Sequence, residues 1–229
     1  MRISIILFTF FAPALALAQF GLNPDRAQSW EMSIGAFNQS SISVGGASND
    51  PAATVPNSSS LSLDSEWGFS FNATYNFTDH LALGMDLDWV RPRYDVTLVP
   101  DDPLEDAVEI RHRGNQFNGR FKGTYTFSEN NFTPFVDVGL GWTRFDTNVA
   151  DGPPVTGCWW HPWWGYICEN FYSTFSSTEF TYGTGVGLRY DLSGGGVLKA
   201  SYNYWWLDSG GKSDDFSLDA FRIEYGWRF

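Results

Sequence analysis

The sequence predicts an all-β protein: a closed, eight-stranded, antiparallel, up-and-down transmembrane β-barrel behind a cleaved signal peptide. Three observations carry this expectation. Apolar and polar residues alternate, one for one, in eight separate segments. Short, turn-rich connections alternate strictly with long ones. The chain is 18% aromatic but only 17% charged, against about 25% charged residues in an ordinary soluble protein.

Composition also excludes several classes. With 11 Trp, 10 Tyr and 20 Phe in 229 residues, the chain has too much apolar surface to stay disordered. Two cysteines do not make a disulfide scaffold. A formal net charge of −12 argues against nucleic acid as a partner. After the leader no apolar run reaches the ~20 residues that a membrane-crossing helix needs.

Residues 1–18 read as a secretory signal: Arg2, an apolar core over Ile3 to Phe11, then Ala14-Leu15-Ala16-Leu17-Ala18 with small residues at Ala16 and Ala18. Residues 19–229 are left as one barrel domain. Export takes the chain out of the reducing cytosol, so Cys158 and Cys168 are free to pair.

The strands follow in order. Trp30, Met32, Ile34 and Ala36 oppose Glu31, Ser33 and Gly35. Trp67, Phe69, Phe71, Ala73, Tyr75 and Phe77 oppose Glu66, Gly68, Ser70, Asn72, Thr74 and Asn76. Leu81, Leu83, Met85, Leu87 and Trp89 oppose Ala82, Gly84, Asp86 and Asp88. Phe117, Phe121, Tyr125 and Phe127 oppose Gln116, Asn118, Arg120, Lys122, Thr124 and Thr126. Val136, Val138, Leu140 and Trp142 oppose Asp137, Gly139, Gly141 and Thr143. Phe180, Tyr182, Val186, Leu188 and Tyr190 oppose Glu179, Thr181, Gly183, Gly185, Gly187 and Arg189. Leu198, Ala200, Tyr202, Tyr204 and Trp206 oppose Lys199, Ser201 and Asn203. Phe221, Ile223, Tyr225, Trp227 and Phe229 oppose Arg222, Glu224, Gly226 and Arg228. Successive side chains on a strand point to opposite faces, so each segment has one apolar and one polar face.

Alternation alone also suits a secreted soluble sandwich. That fold would bury many Trp and Tyr with polar tips in need of partners. A membrane barrel turns the same face to lipid and gathers amphipathic rings at the two interfaces. Trp67, Tyr75, Trp89, Tyr125, Trp142, Tyr190, Trp206 and Trp227 stand near strand ends, as the barrel requires. Short links at Thr78-Asp79-His80, Ser128–Asn131 and Asp191–Gly196 are turn sequences. Between them fall four long connections, Gln39–Leu61, Asp95–Glu109, Asp146–Ser176 and Asp208–Ser217. In outer-membrane barrels the short turns are periplasmic and the long loops outside, so both termini are expected in the periplasm.

The ending Phe221-x-Ile223-x-Tyr225-x-Trp227-x-Phe229 and the segment Thr133-Pro134-Phe135-Val136-Asp137-Val138-Gly139-Leu140-Gly141 resemble the small eight-stranded outer-membrane barrels, the superfamily of the OmpA transmembrane domain, OmpX and OmpW. The resemblance covers roughly Ser29 to Phe229. It implies that Tyr225, Trp227 and Phe229 form the signal read by the outer-membrane insertion machinery. It implies no cofactor, and no peptidoglycan-binding domain of the OmpA kind is expected.

Eight strands leave a lumen that side chains can fill. Six acids (Glu66, Asp86, Asp88, Asp137, Glu179, Glu224) and six bases (Arg120, Lys122, Arg189, Lys199, Arg222, Arg228) point inward by the alternation. They are expected to pair, because an unpaired buried charge is very costly. The expected function is therefore a structural or surface-interaction barrel with a plugged lumen. The alternative is a narrow pore for small or apolar solutes. A lipid-modifying barrel enzyme is the third reading. His112, in Arg111-His112-Arg113-Gly114-Asn115, partly resembles the His-x-Ser-Asn of outer-membrane lipid A deacylases, but Gly114 stands where the nucleophile would be.

The most unusual segment is Cys158-Trp159-Trp160-His161-Pro162-Trp163-Trp164-Gly165-Tyr166-Ile167-Cys168. A disulfide closing a ring of this size stabilises it by roughly 3 kcal/mol. Trp159, Trp160, Trp163, Trp164 and Tyr166 would then form a rigid platform for a surface glycan, lipid or protein ligand, or a lid packing on the barrel rim or the lipid headgroups. Gln39–Leu61, rich in Ser, Gly, Ala and Asn, is expected to be mobile. Asp101, Asp102, Glu105, Asp106 and Glu109, flanked by Arg91, Arg93, Arg111 and Arg113, make either a solvated charged rim or a contact with lipopolysaccharide, the acids through divalent cations shared with its phosphates and the arginines directly.

Overall fold

The computed structural model describes residues 25–48, 58–98, 108–208 and 216–229. Residues 1–18, expected to be a signal peptide, residues 49–57 of the expected mobile loop, Asp101, Asp102, Glu105, Asp106 and the middle of the last long connection lie outside the described residues. Among the described residues there are fourteen strands: β1 Ser29–Gln39, β2 Ile42–Ser48, β3 Ser58–Leu63, β4 Glu66–Asn76, β5 Leu81–Val90, β6 Arg93–Leu98, β7 Val108–Arg113, β8 Asn115–Thr126, β9 Phe132–Ala150, β10 Val155–His161, β11 Gly165–Phe171, β12 Thr174–Asp191, β13 Gly196–Asp208 and β14 Phe216–Arg228. Eight of them close into an antiparallel barrel, in the order β1-β14-β13-β12-β9-β8-β5-β4. These are the eight segments read from the alternation.

The seam between first and last strand is paired from Glu31↔Arg228 to Gln39↔Ala220. It is finished by a reciprocal backbone pair: Phe229 N–H donates to Trp30 O (2.9 Å) and Trp30 N–H to Phe229 O (3.0 Å). Such closure leaves no strand edge for lipid to meet.

The short connections are turns with local reasons. In the first, the Thr78 hydroxyl accepts from the N–H groups of His80 and Leu81. In the second, the Ser128 hydroxyl accepts from Asn130 N–H. In the third, Gly194 (φ 94°) and Gly195 (φ 83°) take the left-handed conformation that a side chain disfavours.

The long connections differ from the loops expected. The first two are not loops throughout: β2, β3, β6 and β7 pair as a four-stranded sheet in the order β2-β3-β6-β7. Two of these strands fall within Gln39–Leu61 and the residues that follow it, where a mobile loop was expected. The third connection contains the β10–β11 hairpin. The strands of the first two connections do alternate, as in Ser60-Leu61-Ser62-Leu63, Arg93-Tyr94-Asp95-Val96-Thr97-Leu98 and Val108-Glu109-Ile110-Arg111, and Leu63 and Tyr94 are buried. Each run is only six or seven residues long and adjoins Ser-, Gly-, Asp- and Pro-rich stretches, the residues of turns, so the composition reads as a connection. Also, β9 and β12 run 19 and 18 residues, beyond the roughly 9–11 that cross the hydrocarbon layer. They continue past the ends read at Asp146 and Ser176 and carry the hairpin away from the barrel. Tyr94 ties the four-stranded sheet to this extension: its hydroxyl donates to Thr147 O (2.8 Å) and its ring meets Phe145 edge-on at 6.1 Å.

Inside the barrel, near the loop end, two small apolar clusters form from Phe37, Val90 and Ala220, and from Trp205, Leu207 and Leu218 with Ile42 packed on them. Outside, Ile34, Leu83, Val138, Leu140, Val186, Leu188 and Ile223 are exposed as a band. Rings flank it at both ends, with Trp30, Phe77, Tyr125, Phe127 and Tyr225 near the turns and Trp67, Trp89, Phe180 and Trp206 near the loops.

Close strand contact at Gly141 is testable. A Cβ there would overlap the Gly119 carbonyl oxygen. Gly141→Val should reduce the folded fraction several-fold, read as the heat-modifiable band on cold SDS gels. Gly152→Ala, where a Cβ has open space, should leave that band unchanged.

Candidate functional site

Two features are candidates: the charged lumen and the aromatic hairpin. The lumen is built by the inward register of the strands. At the turn end, Arg26 enters ahead of β1. Its Nη1 donates to the carbonyls of Asp79 (2.9 Å) and Ser128 (2.8 Å), and its Nη2 lies 2.6 Å from Asp191 Oδ2. Asp191 also meets Arg189 (2.9 Å), and Arg189 reaches Glu31 (2.7 Å). Lys199 Nζ is 2.8 Å from Glu31, on the side facing Glu224.

The middle layer is denser. Arg222 bridges Asp86 (3.0 Å) and Asp88 (2.8 Å). Arg120 sits 2.6 Å from Asp88, and Lys122 is 2.7 Å from Asp86 and 3.5 Å from Asp137. Asn72 donates to Asp86, and the Thr124 hydroxyl to Asp137 (2.5 Å). Arg228, at the turn end, is 3.7 Å from Asp191.

Toward the loop end the layers become aromatic and amide. The Arg120 guanidinium lies 4.3 Å from the Trp205 ring centre, and that of Arg222 lies 5.7 Å from Phe37. Beyond them the Gln39 and Gln116 amides exchange hydrogen bonds (3.2 and 3.0 Å). A cavity of about 20 Å³ lies between the charged layers, lined by Glu31, Lys122, Asp137, Arg189, Lys199 and Glu224 among others.

Ten of the twelve inward charges read from the sequence are buried or nearly so in these layers. Glu66 and Glu179 are not: both are partly exposed at the loop end and join no lumen ion pair. They stand where the Phe37–Trp205 layer has already ended the charged interior, so water solvates them. Three members were missed. Glu31 lies on the polar face of its strand and could have been counted. Asp191 ends a strand, and Arg26 precedes the first, so no alternation marks them. Phe37, Phe135 and Trp205 also point inward, against the expectation of a wholly polar lumen.

The hairpin is set by its register. Cys158 is opposite Cys168 and the two form a disulfide. One face carries Val155, Trp159, Ile167 and Phe171, and the other carries Trp160 opposite Tyr166 beyond the disulfide. Thr156 Oγ1 donates to Asn170 Oδ1 at 2.7 Å. At the tip, Gly165 takes φ 73°, Trp163 N–H donates to His161 Nδ1 (3.2 Å) and the His161 ring stacks on Trp164 (4.3 Å). Trp163 is 83% exposed and Trp160 72%. Trp164 and Tyr166 are also open, and Trp159 only marginally so. Trp160, Trp163, Trp164 and Tyr166 are therefore not packed on the described protein of the barrel rim.

The histidines are scattered. His80 Nδ1 contacts Thr126 O (2.7 Å) in a turn, His112 Nε2 contacts Asn148 O (3.2 Å), and His161 belongs to the hairpin tip.

This geometry defines an integral membrane β-barrel, and the comparisons say of which kind. Residues 4–229 match the outer membrane protein beta-barrel domain, and the chain belongs to that family. It is an integral protein of the outer membrane. Among solved structures it is similar to the outer membrane protein OprG from Pseudomonas aeruginosa, at 14% identity, with 90% of this chain and 97% of that one covered and a TM-score of 0.53. Neisserial surface protein A has 14% identity, 87% and 95% coverage and a TM-score of 0.49. The Yersinia pestis attachment invasion locus protein Ail, solved with the heparin analogue sucrose octasulfate, has 16% identity, 89% and 99% coverage and a TM-score of 0.47. These likenesses concern the fold. No curated protein matches the sequence.

The middle lumen layer gives a stability prediction. Arg222→Met leaves Asp86 and Asp88 short of a shared cation, and breaking a buried ion network from one side costs about 3–5 kcal/mol. Urea unfolding of the barrel in detergent micelles, followed by tryptophan fluorescence, should show a loss of that size.

Proposed function

We propose that the protein is a non-enzymatic surface-interaction barrel: a membrane anchor with a filled lumen that presents the stapled aromatic hairpin to a ligand outside the cell. In this reading the short turns and both termini face the periplasm. The observation that carries it is the lumen. Its cavity of about 20 Å³ holds about one water molecule, since a single water needs ~10–15 Å³ on this measure. The ion pairs on either side would have to break for a solute to pass. The non-enzymatic part rests on Gly114, which gives His112 no neighbouring nucleophile of the deacylase kind.

The hairpin supplies the interaction. From Val155 to Cys168 it carries no acid, lysine or arginine. Exposed rings held by a disulfide lose little conformational entropy on binding, and their faces suit the C–H faces of a neutral sugar or an apolar protein patch.

Planar-bilayer recording tests the lumen. The purified barrel should give no regular unitary openings, whereas reproducible steps would favour the narrow-pore reading. A glycan array tests the hairpin with the full-length protein in detergent. Trp163→Ala/Trp164→Ala should lower any bound signal at least tenfold, and Cys158→Ser/Cys168→Ser should lower it less. A signal untouched by both variants would remove the hairpin from the account.

A further inference from the structure

Outside the lumen and the hairpin, one surface combines features that neither of them uses. It lies on the lipid-facing wall, at the loop end of the aromatic belt. Trp89, Phe117 and Arg144 occupy one cross-strand row, because Trp89 pairs with Phe117 and Phe117 with Arg144. The two rings lie 5.3 Å apart. One step toward the loops stand Arg91, Asn115 and Asp146, with Asn115 paired to Asp146. Together they line a groove of about 400 Å³.

The charges of this groove are arranged for an anion from outside. Arg91 is held by its Nε, which donates to Asn115 Oδ1 at 2.8 Å. Asn115 is itself held by Asn148, through a 2.8 Å bond from its Nδ2. Neither Arg91 nor Arg144 is in an ion pair among the described residues. Arg111, on the sheet above, differs: it is spent on Asp95 (3.3 Å) and Glu109 (3.6 Å). The one acid in the groove, Asp146, has its oxygens engaged elsewhere. Oδ1 accepts from Asn148 N–H and Oδ2 from the Thr174 hydroxyl, both at 2.9 Å. Those bonds, and after them the nearby Arg144 guanidinium, hold its carboxyl below the usual range. Two guanidinium groups therefore stand beside a single carboxylate, which leaves the groove one positive charge in excess.

We infer that this groove is a binding site for a phosphorylated, acylated lipid headgroup of the outer leaflet, with Arg91 and Arg144 taking the phosphate and Trp89 and Phe117 taking the start of an acyl chain. The two halves of the groove ask for the two halves of such a molecule. Guanidinium binds phosphate oxygens through charge-assisted, often paired hydrogen bonds. The aromatic floor continues into the exposed apolar band at Leu140 and Val138, where chains lie. Free phosphate would leave the rings unused, and a neutral lipid would leave the two cations unused. The site is independent of the ligand proposed for the hairpin.

The test uses the full-length barrel in a neutral detergent and native mass spectrometry. The probes are lipid A carrying its phosphates, the same lipid dephosphorylated, and inorganic phosphate. The wild-type protein should hold the phosphorylated lipid at least tenfold more tightly than the dephosphorylated one, with inorganic phosphate not competing at millimolar concentration. Arg91→Gln/Arg144→Gln should abolish that preference, and Arg111→Gln should keep it. Equal retention of the two lipids by the wild type, a preference that survives the double variant, or full competition by inorganic phosphate would each overturn the inference. The wild-type comparison stands even if the double variant fails to fold.

Discussion

Everything in this molecule follows from the inability of hydrocarbon to hydrogen-bond. A strand that crosses a bilayer must give every backbone N–H and C=O a partner on a neighbouring strand, and the last strand must find the first. Phe229 and Trp30 complete that circle with two backbone bonds. Once the sheet is closed, side chains on alternate positions have only two destinations, lipid or lumen. The exposed band of Leu, Val, Ile and ringed residues is one destination, and the buried Asn, Thr, Asp and Arg rows are the other.

The lumen then inherits a second constraint. Charges enclosed in a narrow barrel lose water and must be compensated by one another. Arg222, between Asp86 and Asp88, and Lys122, between Asp86 and Asp137, answer it with shared partners rather than isolated pairs. Such sharing makes the network one unit, so its members are not independent in energy. The rings of Trp205 and Phe37 end the network on the loop side by offering aromatic faces to two of its guanidinium groups. At the other end Arg26 gathers turn carbonyls and Asp191 into a second cluster of shared partners. These demands restrict residue class and position far more than identity, and a solved structure at 14% identity shares the fold.

What could be read beforehand follows the same division. Where one face meets lipid, the sequence must alternate, and Trp67 to Phe77 or Phe117 to Phe127 announce their strands, their outward rows and their ends. The strands β2, β3, β6 and β7 are only six or seven residues long and adjoin Ser-, Gly-, Asp- and Pro-rich stretches, so although β3, β6 and β7 alternate they pass for loops. Trp205 sits between Tyr204 and Trp206, so three aromatic residues in a row hid the one that turns inward. Glu66 and Glu179 share a register with the lumen charges, but alternation gives no height along the barrel axis, and at the rim an inward register no longer means burial. Arg26 precedes any strand, and only the closed barrel brings Asp79, Ser128 and Asp191 to it. The cysteine pair was legible because export permits oxidation and the chain holds just two cysteines, while the hairpin between them and the openness of its rings were not.

The outward face of the barrel touches acyl chains, and every other feature depends on that contact. The most direct measurement is the nuclear Overhauser contact between lipid-chain methylenes and methyl-labelled barrel in nanodiscs. Strong contacts are predicted at Val138, Leu140, Val186, Leu188 and Ile223, and none at the inward Val90 and Val197. Water contacts at the first group in place of lipid, or chain contacts at the second, would contradict it.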